Sequence, residues 1–150
     1  MRFFFRLKEW DHLRGDFHIK VYWRGRLIED YAEHNLIVNS ARLAMTKLIA
    51  GAGTGKNISR IAFGSNGSIP VVGDTAITSP YLKNISSISY PANNKVEFAW
   101  SLGVDEANGK AISEFGLLCA DGSLFARKSR TAPLNKDSDI AIEGQWIIIF

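Results

Sequence analysis

Phe17, Ile19, Val21 and Trp23 alternate with His18, Lys20 and Tyr22. A period of two puts the apolar set on one face of a strand. Arg24-Gly25 supplies a turn, and 27–34 reads as the return strand, so residues 16–34 predict a β-hairpin. The period then changes. Ala41, Ala44, Met45 and Leu48 recur at i, i+3, i+4 and i+7, with Arg42, Thr46 and Lys47 on the other side. That spacing predicts a short amphipathic helix over about 40–50, capped by Asn39 or Ser40 and stopped at Gly51. The rest reads as strands: 58–63, 82–90, 96–102, 112–119, 123–130 and 139–150. Asn108-Gly109 and Asp121-Gly122 are hairpin signals between them. The predicted fold class is mainly β, an antiparallel sandwich or meander with one short helix and an N-terminal hairpin.

Two regions look short of cover. Ile140, Ile142, Trp146, Ile148 and Phe150 share one face of the last strand, and Ile147 and Ile149 point the other way. A strand apolar on both faces is central in a sheet or covered by a partner. At the other end, residues 1–34 hold Phe3, Phe4, Phe5, Trp10, Phe17, Tyr22 and Trp23. A lone hairpin is marginal in water and must pack on something. The expectation is a docking arm over 1–34 and a β-rich domain over 35–150, with folding back onto that domain as the alternative. The expected interface residues are Trp10, Phe17, Tyr22, Trp23, Ile147, Ile149 and Phe150.

Composition narrows the function. The 150 residues are 46% hydrophobic and 22% charged, with a formal net charge of +3, which fits one globular domain. The single cysteine, Cys119, permits no internal disulfide and no thiolate cluster. The apolar runs are far too short to span a bilayer, and no export signal is legible, so no membrane insertion is expected. The basic spots, Arg24 with Arg26 and Arg127 with Lys128 and Arg130, read as a solvated turn and a charged strand end. No nucleic-acid partner is expected.

Candidate chemistry is thin. The stretch 51–57, Gly-Ala-Gly-Thr-Gly-Lys-Asn, resembles a phosphate-binding loop. It has Ala50 and Asn57 at two required positions, and it follows a helix instead of opening one. His12, His18 and His34 lack the spacing of a metal site. Asp105, Glu106 and Glu114 form an acid/base pair only if two of them face each other across a cleft. The reading is therefore of a protein that is not an enzyme and takes no cofactor.

Several segments together resemble a known family. They are 35–40, the helix to Gly51, Ile61-Ala62-Phe63-Gly64-Ser65-Asn66-Gly67, and then Pro70 and Asp74-Thr75-Ala76. Glu106-Ala107-Asn108-Gly109, 112–117 and 121–127 follow, with the ending 147–150. In this order they resemble bacteriophage tail-collar and tail-fibre proteins over about 35–150; residues 1–34 lie outside the likeness. The resemblance implies a structural subunit of a phage tail, as fibre, fibre adaptor or baseplate component. Its expected partners are itself, as a trimer or a larger ring, and other tail or baseplate proteins. It would be assembled in the host cytoplasm and located in the virion. The rival reading is a carbohydrate-binding β-sandwich for host-surface recognition, with Trp10, Trp23 or Trp100 stacking on sugar.

Overall fold

A computed structural model describes residues 13–150. The chain is mainly β. Its elements are β1 (Arg14–Trp23), β2 (Arg26–Ile37), α1 (Asn39–Ile49), β3 (Ile58–Gly64), β4 (Tyr81–Asn84), β5 (Ser87–Ala92), β6 (Lys95–Leu102), β7 (Ala111–Cys119), β8 (Leu124–Asn135) and β9 (Ile140–Ile149). The nine strands of the described residues join one antiparallel sheet in the order β4-β3-β7-β8-β2-β1-β9-β6-β5.

The strand order forces the sheet to curl. β4 and β5 stand at opposite ends of the order, yet only Ile85 and Ser86 separate them in sequence. The Ile85 N–H donates to Ser59 O at 3.0 Å and the Ser86 N–H to Ala99 O at 2.8 Å. The chain thus leaves one edge of the sheet and enters the other in a single step. The stretch 82–90, expected as one strand, is two short strands either side of this corner. β2 makes the second corner: it pairs with β1 along its length and with β8 only through Leu36 and Ile37. Beyond that, the gap between β2 and β8 is bridged by side chains, Lys128 to Glu33 and Arg130 to Glu29.

Curling brings the two halves of the sheet face to face over an aromatic core. Phe17 of β1 meets Phe115 of β7, with ring centroids 4.7 Å apart. Phe63 of β3 meets Trp100 of β6 at 5.1 Å, edge to face. Trp100 fits because Gly144 lies opposite it; a Cβ there would stand 2.0 Å from the indole ring.

Residues 14–37 are part of this sheet, not an arm beside it. β1 pairs with β9 from Arg14↔Ile149 to Trp23↔Ile140. Phe17, Ile19 and Val21 are buried in the core with Trp146 and Ile148. The boundary expected near residue 35 falls inside β2, which runs unbroken through it. The physical reason is mutual need: the β1 face wanted an apolar partner, and β9 supplied one. The turn between β1 and β2 has positive φ at Arg24 (47°) and Gly25 (80°), as a tight two-residue hairpin requires.

Two further expectations change. Asn108-Gly109 does not close a hairpin, because β6 pairs with β9 and β5 while β7 pairs with β3 and β8. It sits in a crossover between the halves, held by buried Lys136. The Lys136 ammonium donates to Asn108 Oδ1 and Asp137 O, both at 2.8 Å. Nor do Asn39 and Ser40 cap α1. The N-cap is Val38, and Ser40 Oγ donates instead to Leu124 O. Gly51 does stop the helix, at φ 72°.

Candidate assembly surface

The expected interface residues do not form one surface. Trp10 lies outside the described residues. Phe17 has no exposed surface, so it is core. Tyr22 and Trp23 sit at the β1 end that pairs with Ala141 and Ile140, whereas Ile149 pairs with Arg14. The two groups come no nearer along β9 than Ala141 and Ile147, about 20 Å of strand. Tyr22 donates to Glu143 at 3.3 Å. Trp23 is 42% exposed, and the Arg24 guanidinium lies 4.8 Å from its ring. That guanidinium also holds Asp139 at 3.1 Å. Ile149 is buried and Ile147 half-buried; of the last residues, Phe150 is the exposed one.

Phe150 belongs to an apolar groove. Met45 and Leu48 of α1, Ile88 and Tyr90 of β5, and Val96 of β6 line it with Phe150 around a 270 Å³ cavity. Its exposure has two causes. Among the described residues β5 is the last strand of the sheet, with no strand paired on its outer edge. α1 buries its small residues, Ala41 and Ala44, and leaves Leu43, Leu48 and Ile49 exposed. Phe150 is fixed at the rim by backbone and side-chain bonds to Asn94, at 2.9 and 3.2 Å. The one charged lining residue among the described residues, Lys56, is 2.6 Å from Asp121. This bond, with two more from Ser123, holds the Asp121 carboxyl well below the usual carboxylate range. Lys56 is therefore committed to a loop contact, and 51–57 leads from α1 into β3 with no helix behind it.

A second feature joins the segments that resemble the tail family. Glu114 of β7 and Arg127 of β8 are buried and paired at 2.7 Å. Arg127 also reaches Asp74 Oδ2 at 3.0 Å and Asn66 O at 2.8 Å. The Glu114 carboxylate accepts the N–H groups of Asn66 (3.1 Å) and Thr78 (2.7 Å). Asn66, Asp74, Glu114 and Arg127 come from four separate segments and meet at one point. The expectation that Arg127 lies on a solvated strand end is corrected: its guanidinium ties the 65–78 loop to the sheet. Arg130 is bidentate to Glu29 at 2.7 and 3.2 Å, so these cations are paired with acids.

The remaining candidates stay apart. His18 pairs with Asp30 at 2.5 Å and His34 with Asp16 at 2.6 Å; His12 lies outside the described residues. Glu106 accepts from Lys83 and from the Gly103 N–H (2.7 Å), which lower its pKa, while Asp105 is exposed on the same loop. Neither joins the Glu114 network. Burial pushes the Cys119 thiol up. Trp100 is 3% exposed and stacks within the core, so it presents no face to a sugar. Among the described residues no three His, Cys, Asp or Glu side chains are grouped to hold a metal, and no helix is long and apolar enough to cross a membrane.

Sequence reasoning found Phe150 but missed the α1 and β5 sides of the groove. Two signals were available. Leu48-Ile49 widens the helix stripe beyond one face, and Pro91 beside Tyr90 marks an edge strand. Compared with protein-family models, curated proteins and solved structures, the chain matches none.

Proposed function

We propose that this chain is a structural subunit of a phage tail, as fibre, fibre adaptor or baseplate component, working by protein–protein assembly. The observation that carries the reading is the apolar groove that the described residues leave exposed between α1, β5 and Phe150. Contiguous exposed apolar surface of this kind marks a contact site. The tail assignment itself rests on the sequence resemblance. Supporting it, four of the resembling segments are bound into one unit through Arg127 and Glu114.

Co-expression with the products of the neighbouring genes, followed by sedimentation of assembled particles, tests the proposal. The expected result is this chain in the particle fraction at a fixed stoichiometry. Recovery only as free protein, while particles form without it, overturns the reading.

A further inference from the structure

The 65–78 loop carries its own exposed apolar tip: Ile69 is 85% exposed, Val71 58% and Val72 52%. This tip is held in place. Its base is fastened by Arg127 and Glu114. Val71 and Asp74 bond each other twice at 3.0 Å, and Val72 O accepts the Asn39 N–H at 2.8 Å. A loop ordered before docking does not have to be ordered by it, which removes a main cost of association.

We propose that the 69–72 tip of one copy seats in the apolar groove of a second copy, a deepening that rests on the assembly reading above. The two surfaces match in chemistry. The charge nearest the tip, Asp74, is taken by Arg127, and the charge in the groove, Lys56, is taken by Asp121. Closing one on the other strands no unpaired charge. They also differ in shape, one a projecting loop and the other a cavity. Within a chain they lie at different places. The tip is bonded to the first residue of α1, and the groove begins at Met45 and Leu48 in its last turns. Along the helix axis Asn39 stands about 9 Å from Met45 and about 14 Å from Leu48. Each copy therefore presents a tip and a groove at separate places, which makes the contact head-to-tail. Repeated head-to-tail contacts close into a ring when the rotation allows.

The test is native mass spectrometry on the full chain at micromolar concentration, with Val71→Asp for the tip and Tyr90→Asp for the groove. Both residues are exposed, and thermal melts matching wild type show that the variants fold. Ile69→Asp serves as a second tip variant. Wild type is expected to form oligomers, and each variant alone to be monomeric, with self-association weakened on the order of a hundredfold by an aspartate forced into an apolar site. An equal mixture of Val71→Asp and Tyr90→Asp is expected to give heterodimers and nothing larger. One intact tip meets one intact groove, and growth stops there. Wild-type oligomers that persist in Val71→Asp and Ile69→Asp overturn the loop as occupant and leave the assembly reading standing. A mixture that stays monomeric also overturns it. A monomeric wild type removes the self-contact altogether, while incorporation into particles remains a separate result.

Discussion

β1 against β9, and α1 against β5, are both places where apolar residues crowd together, and they end differently. In the first, Phe17, Ile19 and Val21 face inward beside Ile142, Trp146 and Ile148, and all are buried. In the second, Leu48, Ile49, Ile88, Tyr90 and Phe150 remain open to solvent. Hydrophobicity alone does not separate core from contact surface. What separates them is whether the chain supplies its own complement. Among the described strands β1 has neighbours on both edges, whereas β5 has one.

Removing residues 1–34 breaks the comparison most severely. The deletion takes away β1 and most of β2, leaving β9 without its β1 neighbour and β8 without the side-chain bonds to Glu29 and Glu33. An ordinary domain is stable by only about 5–15 kcal/mol, and the deletion removes the core side chains Phe17, Ile19 and Val21 together. The truncated chain is expected to aggregate and to show no cooperative thermal transition by circular dichroism. A soluble truncation with a sharp melt would restore the separate-arm description.

Two phenylalanines sharpen the contrast at single-residue scale. Phe17→Ala is expected to lower stability by about 3–5 kcal/mol in urea unfolding, the usual cost of emptying an aromatic site in a core. Phe150→Ala, at a 57% exposed position, is expected to stay within about 1 kcal/mol of wild type while weakening association. Similar losses at both positions would erase the distinction. Arg127→Ala leaves Glu114 buried without its partner and is expected to cost about 3–5 kcal/mol. Limited proteolysis should then cut in the 65–78 loop, which loses its fastening.

The smallest effects belong to exposed charges. Asp121 and Glu106 both have pKa values lowered by bonds from lysines and backbone or serine groups. A lowered carboxylate pKa adds stability above the unfolded value, near 4, and loses it as pH falls through the folded value. Acid melts between about pH 4.5 and 2 are therefore expected to shift less in Lys56→Ala than in wild type. At pH 7 Lys56→Ala should lower the melting temperature slightly, by the same stability that acid no longer removes, and calorimetry should detect no ATP or GTP binding. Tight nucleotide binding abolished by Lys56→Ala would reverse the account of the 51–57 loop.

Much of the fold was legible because periodicity reports local faces. The alternation in 17–23 placed β1 correctly, and the i, i+3, i+4 spacing placed α1. Pairing was less legible. Nothing local in Asn108-Gly109 says that β6 and β7 belong to opposite halves, since the edges of β6 are taken by β5, which precedes it, and by β9, remote in sequence. The same limit hid the role of Arg127. A basic residue in a strand reads as surface until Glu114 and Asp74, 13 and 53 residues away, are brought to it. The groove was half legible, through Phe150, because its other walls come from a helix and an edge strand.

Hydrogen–deuterium exchange on the full chain, compared between dilute and concentrated samples, tests most directly that the α1–β5 end is the contact surface. The account predicts concentration-dependent protection in 43–49 and 87–92, with β1 and β9 equally slow in both samples. Protection that instead appears on the β1–β2 hairpin, or no change at any segment, would contradict it.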